Sequence, residues 1–268
     1  AHAEGVVLLY NLKLNGATAW TPAPKGVDWG KMETDFTFGL RGKTLRESGA
    51  CTYELLGDKL TSVAEGPEGV IGIQADRERA RIKAKGHWDV WTERTPLKRP
   101  MTATFGPRGA FRFGTGLKRL AIYAIPHVDH RFWNVLTVAP ARPVAVGDAW
   151  KEEFRFRVPG AKGKPLELKA HWKVTGWERY KGQKVLALAL TADLKLEDSN
   201  LILKNGDRVH VTVGTYKARG KVLWDVEHGV LCSARASQQV LFQADKPQPR
   251  ALRSETTCTL TLQKYQGP

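Results

Sequence analysis

Apolar and polar residues alternate with a period of two along most of this chain. Between Gly5 and Leu14, Val6, Leu8, Tyr10, Leu12 and Leu14 alternate with Val7, Leu9, Asn11 and Lys13, the spacing that sends successive side chains of a strand to opposite faces. The same period recurs at Thr34-Asp35-Phe36-Thr37-Phe38, at 48–55, at 166–177 and at 185–196, then again at 209–216, 220–226, 229–242 and 252–265. Turn chemistry punctuates these runs: Arg41-Gly42-Lys43, Glu65-Gly66-Pro67-Glu68-Gly69, Arg179-Tyr180-Lys181-Gly182-Gln183, Asn205-Gly206-Asp207 and Lys246-Pro247-Gln248-Pro249, each rich in residues that accept a reversed backbone. Residues 21–30 read as a Pro- and Gly-rich loop beside Trp20 and Trp29. No segment carries a convincing long helical period, so the pattern predicts an all-β fold with little or no helix.

One stretch divides the pattern. Pro140 to Trp150 begins with two prolines that lack an N–H and so cannot sit in the middle of a sheet, passes through the turn dipeptide Gly147-Asp148, and enters a new alternating run at Trp150, Phe154, Phe156 and Val158. Read as a pivot, it separates an N-terminal lobe (1–125) and a linker (126–149) from a C-terminal lobe (150–268). Read more simply, it is a crossover between two strands of one sheet. Phe105-Gly106-Pro107-Arg108-Gly109-Ala110-Phe111 and Trp224-Asp225-Val226-Glu227-His228-Gly229-Val230-Leu231 share the order aromatic, tight turn, glycine, apolar strand at comparable depth in each half. That points to a duplication and to two related lobes of curved antiparallel sheet, half-barrel or sandwich-like.

Charge changes the picture. The 268 residues carry a formal net charge of +15, which acts on partners whatever the fold. Arg77, Arg79, Arg81, Lys83 and Lys85 alternate with Glu78, Ala80, Ile82 and Ala84, so a strand through them lines one face with cations about 6.6 Å apart. Lys169, His171 and Lys173 repeat the pattern in the second half. Such a stripe is either a track for an anionic polymer or lipid headgroups, or a solvated face offset by acids on neighbouring strands. Trp88 and Trp91 follow the first stripe, and aromatic rings beside cations suit sugar or base stacking. No apolar run approaches the roughly 18 residues of a membrane helix, and the basic faces argue against a membrane β-barrel.

Other chemistry is sparse. Gly42-Lys43-Thr44 ends like a phosphate-binding loop, but Thr37 stands where the motif needs its leading glycine, and a hairpin turn is the better reading. His127 and His130 have metal-ligand spacing and would need a third ligand, with His87, His171 and His210 as candidates; a polar loop is the simpler reading. No nucleophile elbow is present, and neither a catalytic residue nor a cofactor is assigned. Cys232 and Cys258 flank the Lys246-Pro247-Gln248-Pro249 turn at nearly equal distances, so they are either a cross-strand disulfide or two buried thiols, with Cys51 left over. Ala1-His2-Ala3 has the small-x-small form of a processed signal-peptide site, which predicts a secreted or periplasmic protein; a cloning boundary would also lack Met.

Pro143-Val144-Ala145-Val146-Gly147-Asp148-Ala149-Trp150, with the later Gly-x-x-x-Trp-Asp-x-x-x-Gly step from Gly220 to Gly229, resembles a family of uncharacterised exported bacterial β-rich proteins and lipoproteins. The likeness runs mainly over 124–243. It implies a β-rich exported fold and supplies no catalytic residues; the absence of a lipobox cysteine near the start departs from the lipoprotein members. Two functions compete. One is a non-enzymatic protein whose basic face (Arg77, Arg79, Arg81, Lys83, Lys85, Lys169, Lys173) binds an anionic polymer or lipid surface. The other is a self-assembling fibre or surface subunit that donates the apolar strand between Gly5 and Leu14 to a neighbour.

Overall fold

The computed structural model describes residues 5–21, 29–48, 50–66, 69–84, 86–105, 111–113, 143–156, 161–162, 166–203, 208–246 and 250–267. The alternating runs become fifteen strands of one antiparallel sheet, with no helix among the described residues. The first half supplies β1 (Val7–Thr21), β2 (Trp29–Leu45), β3 (Cys51–Gly66), β4 (Gly69–Ala75), β5 (Ala80–Ala84), β6 (His87–Trp88), β7 (Met101–Phe105) and β8 (Phe111–Phe113). The second half supplies β9 (Ala149–Phe156), β10 (Ala161–Lys162), β11 (Leu166–Tyr180), β12 (Gln183–Leu203), β13 (Arg208–Asp225), β14 (Val230–Lys246) and β15 (Arg250–Gln266).

The main path runs β6-β5-β4-β3-β2-β1-β15-β14-β13-β12-β11-β9. Each half is a meander, and the two join where the first and last strands pair from Val7↔Gln266 to Thr21↔Ala251. The halves therefore share one sheet, and among the described residues its main path ends at β6 and β9, in the middle of the chain, with β7, β8 and β10 paired off that path. This corrects the expectation of a donatable N-terminal strand. β1 lies between β2 and β15, hydrogen-bonded along both edges, so the segment from Gly5 to Leu14 has no free ladder to offer a neighbour.

Register explains the core. Leu12 faces Phe36, which faces Leu60, then Ala75 and Ala80. In the other direction Leu12 faces Leu260, then Ala234, Val222, Leu188 and Val174. All ten are buried and lie on one face, because residues opposite each other in a ladder share a face. The buried side chains of both halves form a single cluster. Each fully buried Leu or Val contributes about 1.5–3 kcal/mol, and a one-residue slip of any long strand would turn its whole set outward. Tyr10 fixes the seam further: its hydroxyl donates to the Leu231 carbonyl at 2.9 Å, and burial pushes that phenol's pKa well above its ordinary value.

Local turns follow their chemistry with one displacement. Lys181 and Gly182 both take positive φ, 49° and 85°, the two-residue turn that matches strand twist, and Tyr180 faces Gln183 across it. Strands also pair directly around the Asn205-Gly206-Asp207 and Lys246-Pro247-Gln248-Pro249 segments. The turn expected at Arg41-Gly42-Lys43 lies instead between Leu45 and Cys51, closed by Arg46 N–H donating to the Ala50 carbonyl at 2.8 Å. A bulge between Gly42 and Thr44 takes up Lys43, leaves Gly42 paired with Tyr53, and lets β2 run on.

Of the two expected states of Cys232 and Cys258, the structure shows buried thiols and not the disulfide. Cys258 faces Ala236, while Ala234 faces Leu260, so Cys232 and Cys258 are offset by four residues on adjacent strands, about 13 Å along the ladder. All three thiols are free and buried. A bridge would require backbone movement, and burial pushes the Cys258 thiol pKa far up.

Candidate anionic-ligand surface

The outer face carries the charges, and the sheet places the two basic stripes nine strand positions apart, one on β5 near one edge and the other on β11 near the opposite edge. They do not form one site. Each is built differently.

At the first edge the stripe is not one strand. Arg77, Glu78 and Arg79 occupy the turn between β4 and β5, where Asp76 Oδ1 accepts from the Glu78 and Arg79 N–H groups at 2.8 and 2.9 Å. Those two backbone donors hold the Asp76 carboxyl pKa below its usual value. Only Arg81 and Lys83 project from the strand itself, and Lys85 lies outside the described residues. The expected five-cation strand face is thus corrected to a turn followed by two strand cations.

These cations are already engaged. Arg77 Nε donates to the Gly57 carbonyl at 3.1 Å; Arg79 pairs with Asp76 at 3.7 Å; Arg81 Nε donates to Gln74 Oε1 at 2.8 Å. Their charged heads also interleave with indole rings. Arg79 sits 4.7 Å from the Trp91 ring centre, Arg81 4.9 Å from both Trp91 and Trp88, and Lys83 5.8 Å from Trp88. Pairing explains the ladder: Lys83 faces Trp88 and Ala80 faces Thr92, which turns Trp88 and Trp91 to the outer side. A Cβ on Gly72 would come within 3.3 Å of the Trp88 ring, so glycine there leaves room for the indole to lie over β4. Thr95 Oγ1 donates to the Asp76 carbonyl, and buried Leu97 packs over Gly57, fastening the following loop beneath the turn.

The second stripe opens into a plateau. Three outer-face rows cross β14, β13, β12, β11 and β9. One reads Gln239, Lys217, Asp193, Lys169, Glu153; the next Ser237, Arg219, Thr191, His171, Lys151; the third Arg235, Lys221, Ala189, Lys173, Ala149. Strands stand about 4.8 Å apart and rows about 6.8 Å. Lys169 lies between Glu153 and Asp193, the charge-offset arrangement. The other two rows hold Arg219, Lys151, Arg235, Lys221 and Lys173 with no acid among them, and all five are exposed. Lys221 pairs with Glu178 at 2.6 Å; the other four make no ion pair among the described residues. Glu178 reaches Lys221 because a bulge between Val174 and Gly176 shifts β11 against β12.

The inner face gives this plateau a stiff floor. Trp172, 2% exposed, stacks on Trp150 with ring centres 5.6 Å apart and planes 7° from parallel. Gly220, between Arg219 and Lys221, allows β13 and β14 to approach so closely that a Cβ there would meet the Ala236 Cβ and the Arg235 carbonyl at 2.8 Å.

Of the residues expected to bind an anion, Lys173 lies in the acid-free rows, Lys169 in the balanced row, and Arg77, Arg79, Arg81 and Lys83 at the far edge. Sequence reasoning passed over Lys151, Arg219, Lys221 and Arg235. The alternation Lys217-Ala218-Arg219-Gly220-Lys221 was the available signal for β13. His127 and His130 lie outside the described residues. Their candidate third ligands are on separate strands, His87 on β6, His171 on β11 and His210 on β13, where His210 pairs with Asp245 at 2.7 Å. Among the described residues no three metal-ligating side chains converge, and no helix is long and apolar enough to cross a membrane.

No family model matches the chain, and no curated protein does. A solved structure described as lipid-protein interactions in lipovitellin is similar over 99% of this chain, with a TM-score of 0.49 and 12% identity. This chain spans 26% of that one, and a likeness of this size carries no argument about ligand.

Proposed function

We propose that this protein is a non-enzymatic binding module whose outer basic face takes an anionic partner bearing repeated phosphate, sulfate or carboxylate groups. The observation that carries the reading is the pair of acid-free rows on β14 to β9, where four of five cations are unpaired among the described residues. Cations held in register on a sheet present their charges without first breaking internal ion pairs, so the Coulomb gain on binding is not spent on exchange. Anionic envelope lipids, acidic polysaccharides and extracellular nucleic acid all fit this chemistry, and a secreted or periplasmic location belongs to the proposal. The fibre reading gains no support, since its donor strand is the centre of the sheet. The test is equilibrium binding to heparin, as a soluble polyanion, across a salt series. Arg219→Gln/Lys221→Gln/Arg235→Gln should weaken binding and flatten its salt dependence; equal affinity in that variant and the unmodified protein would refute the assignment.

A further inference from the structure

The open edge at β4 to β6 has a feature that the plateau lacks. Ile71 is 60% exposed, Ile82 43%, Val90 82% and Trp91 39%, and pairing puts these four residues at one corner of the sheet. Ile73 faces Ile82 and Gly72 faces Lys83, so Ile71 and Ile82 are diagonal neighbours on one face. Asp89 N–H donates to the Ile82 carbonyl at 2.8 Å. Between the Lys83↔Trp88 and Ala80↔Thr92 pairs the outer segment takes up one extra residue, a bulge that turns Val90 outward. Elsewhere along β4 and β5, inward positions such as Ile73, Ala75 and Ala80 are buried, whereas Ile71 and Ile82 on the same face stay exposed.

An exposed aliphatic cluster at a sheet edge is a liability unless something covers it. Its surroundings indicate the chemistry of the cover. Residues 76–99 hold eight Lys and Arg against four Asp and Glu, a net charge of +4. On the outer side Arg79, Arg81 and Lys83 stack on Trp88 and Trp91, which keeps cations and indoles together at one level beside the aliphatic tip. Aliphatic side chains on one face of this edge, with cations and indoles together on the other, pair an apolar surface with a basic, indole-bearing one, the two chemistries that the acyl boundary and the headgroup layer of an anionic bilayer take. A soluble polysaccharide or nucleic acid offers nothing for Ile71, Ile82 and Val90 to enter. We infer that the β4–β6 edge is a membrane-docking tip: Val90, Ile71 and Ile82 enter the acyl boundary of a bilayer containing anionic lipid, while Arg79, Arg81 and Lys83 meet its headgroups.

This site is separate from the plateau, and the experiment distinguishes the two. The intact chain is sedimented with vesicles of phosphatidylglycerol and phosphatidylcholine in equal parts, with phosphatidylcholine vesicles alone as the comparison. Val90→Asp and Ile82→Asp are tested alongside; both positions are exposed, and each variant is checked for an unchanged melting curve. The unmodified protein should pellet with the anionic vesicles, and each variant should lose about tenfold or more in partitioning while binding heparin as before. If the protein does not partition onto anionic vesicles, or if both variants partition as the unmodified protein does, the tip is not a membrane site. Vesicle binding that depends on Val90 and Ile82 in a protein that ignores heparin would support the tip and sink the plateau reading.

Discussion

The two basic regions have the same signature in sequence, cations on alternate residues, and differ in what those cations do. At the β5 edge, Arg77 is held by a backbone carbonyl, Arg79 by Asp76, and Arg81 by Gln74 and two indoles. On the plateau, Arg219, Arg235, Lys151 and Lys173 face solvent without a fixed counter-charge among the described residues. The difference comes from neighbours. The edge stripe includes a tight turn with its own acid and borders a Trp-bearing segment, whereas the plateau cations face Ser237, Thr191, Ala189, His171 or, at Lys221 and Arg235, each other. A count of cations therefore does not identify a binding face; cross-strand register does.

Substitutions in the two regions should separate stability from binding. The largest effect should come from below the plateau: Trp172→Ala removes a fully packed indole and its stacking on Trp150, and should lower stability by about 3–5 kcal/mol in chemical denaturation. Next, Arg219→Gln/Lys221→Gln/Arg235→Gln should reduce heparin affinity by about a hundredfold at low salt, with little change in melting, since exposed cations contribute little to stability. Gly220→Ala should cost about 1–3 kcal/mol by forcing β13 and β14 apart, and should weaken heparin binding only as far as it disturbs Arg219 and Lys221. At the edge the balance is reversed: Arg81→Gln should lower stability by about 0.5–1 kcal/mol through its lost indole contacts and change heparin affinity less than about threefold.

The smallest effect concerns pH. The Asp76 carboxyl pKa lies below its ordinary 3.8 because Glu78 and Arg79 N–H groups bond its ionised form. A depressed folded pKa means the turn's contribution is complete above the unfolded value and is lost as pH falls through the lower folded one. Carbon-13 titration of Asp76 should give a midpoint under 3.8, and the Arg79 and Glu78 amide signals should move with it. No comparable step is expected on the plateau's acid-free rows, which hold no carboxylate.

Much of the fold was legible because period two is a strong signal when one face is buried. Leu8, Tyr10, Leu12 and Leu14 announce β1, and Lys181-Gly182 announces the hairpin of β11 and β12. Pairing between β1 and β15 was not legible, since it joins residues about 250 apart in sequence and no local pattern encodes a partner. The same gap left the cysteine pairing open, since the two are symmetric about their turn in sequence but offset in register, and it misjudged residues 77–85, where an Asx turn at Asp76 interrupts an alternation that reads as unbroken strand. The plateau was half visible. Lys173 and the Lys217-Arg219-Lys221 alternation are plain in the chain, but their union with Arg235 and Lys151 exists only across four ladders.

The most direct test is the slope of heparin affinity against salt for three proteins: the unmodified chain, the plateau triple variant, and Arg79→Gln/Arg81→Gln at the edge. With roughly 0.7–0.9 counterions released per phosphate-like contact, the triple variant should lose about two to three units of slope while the edge variant keeps the full slope. A plateau variant with an unchanged slope, or an edge variant that loses it, would contradict the assignment of the anionic partner to β9, β11, β13 and β14.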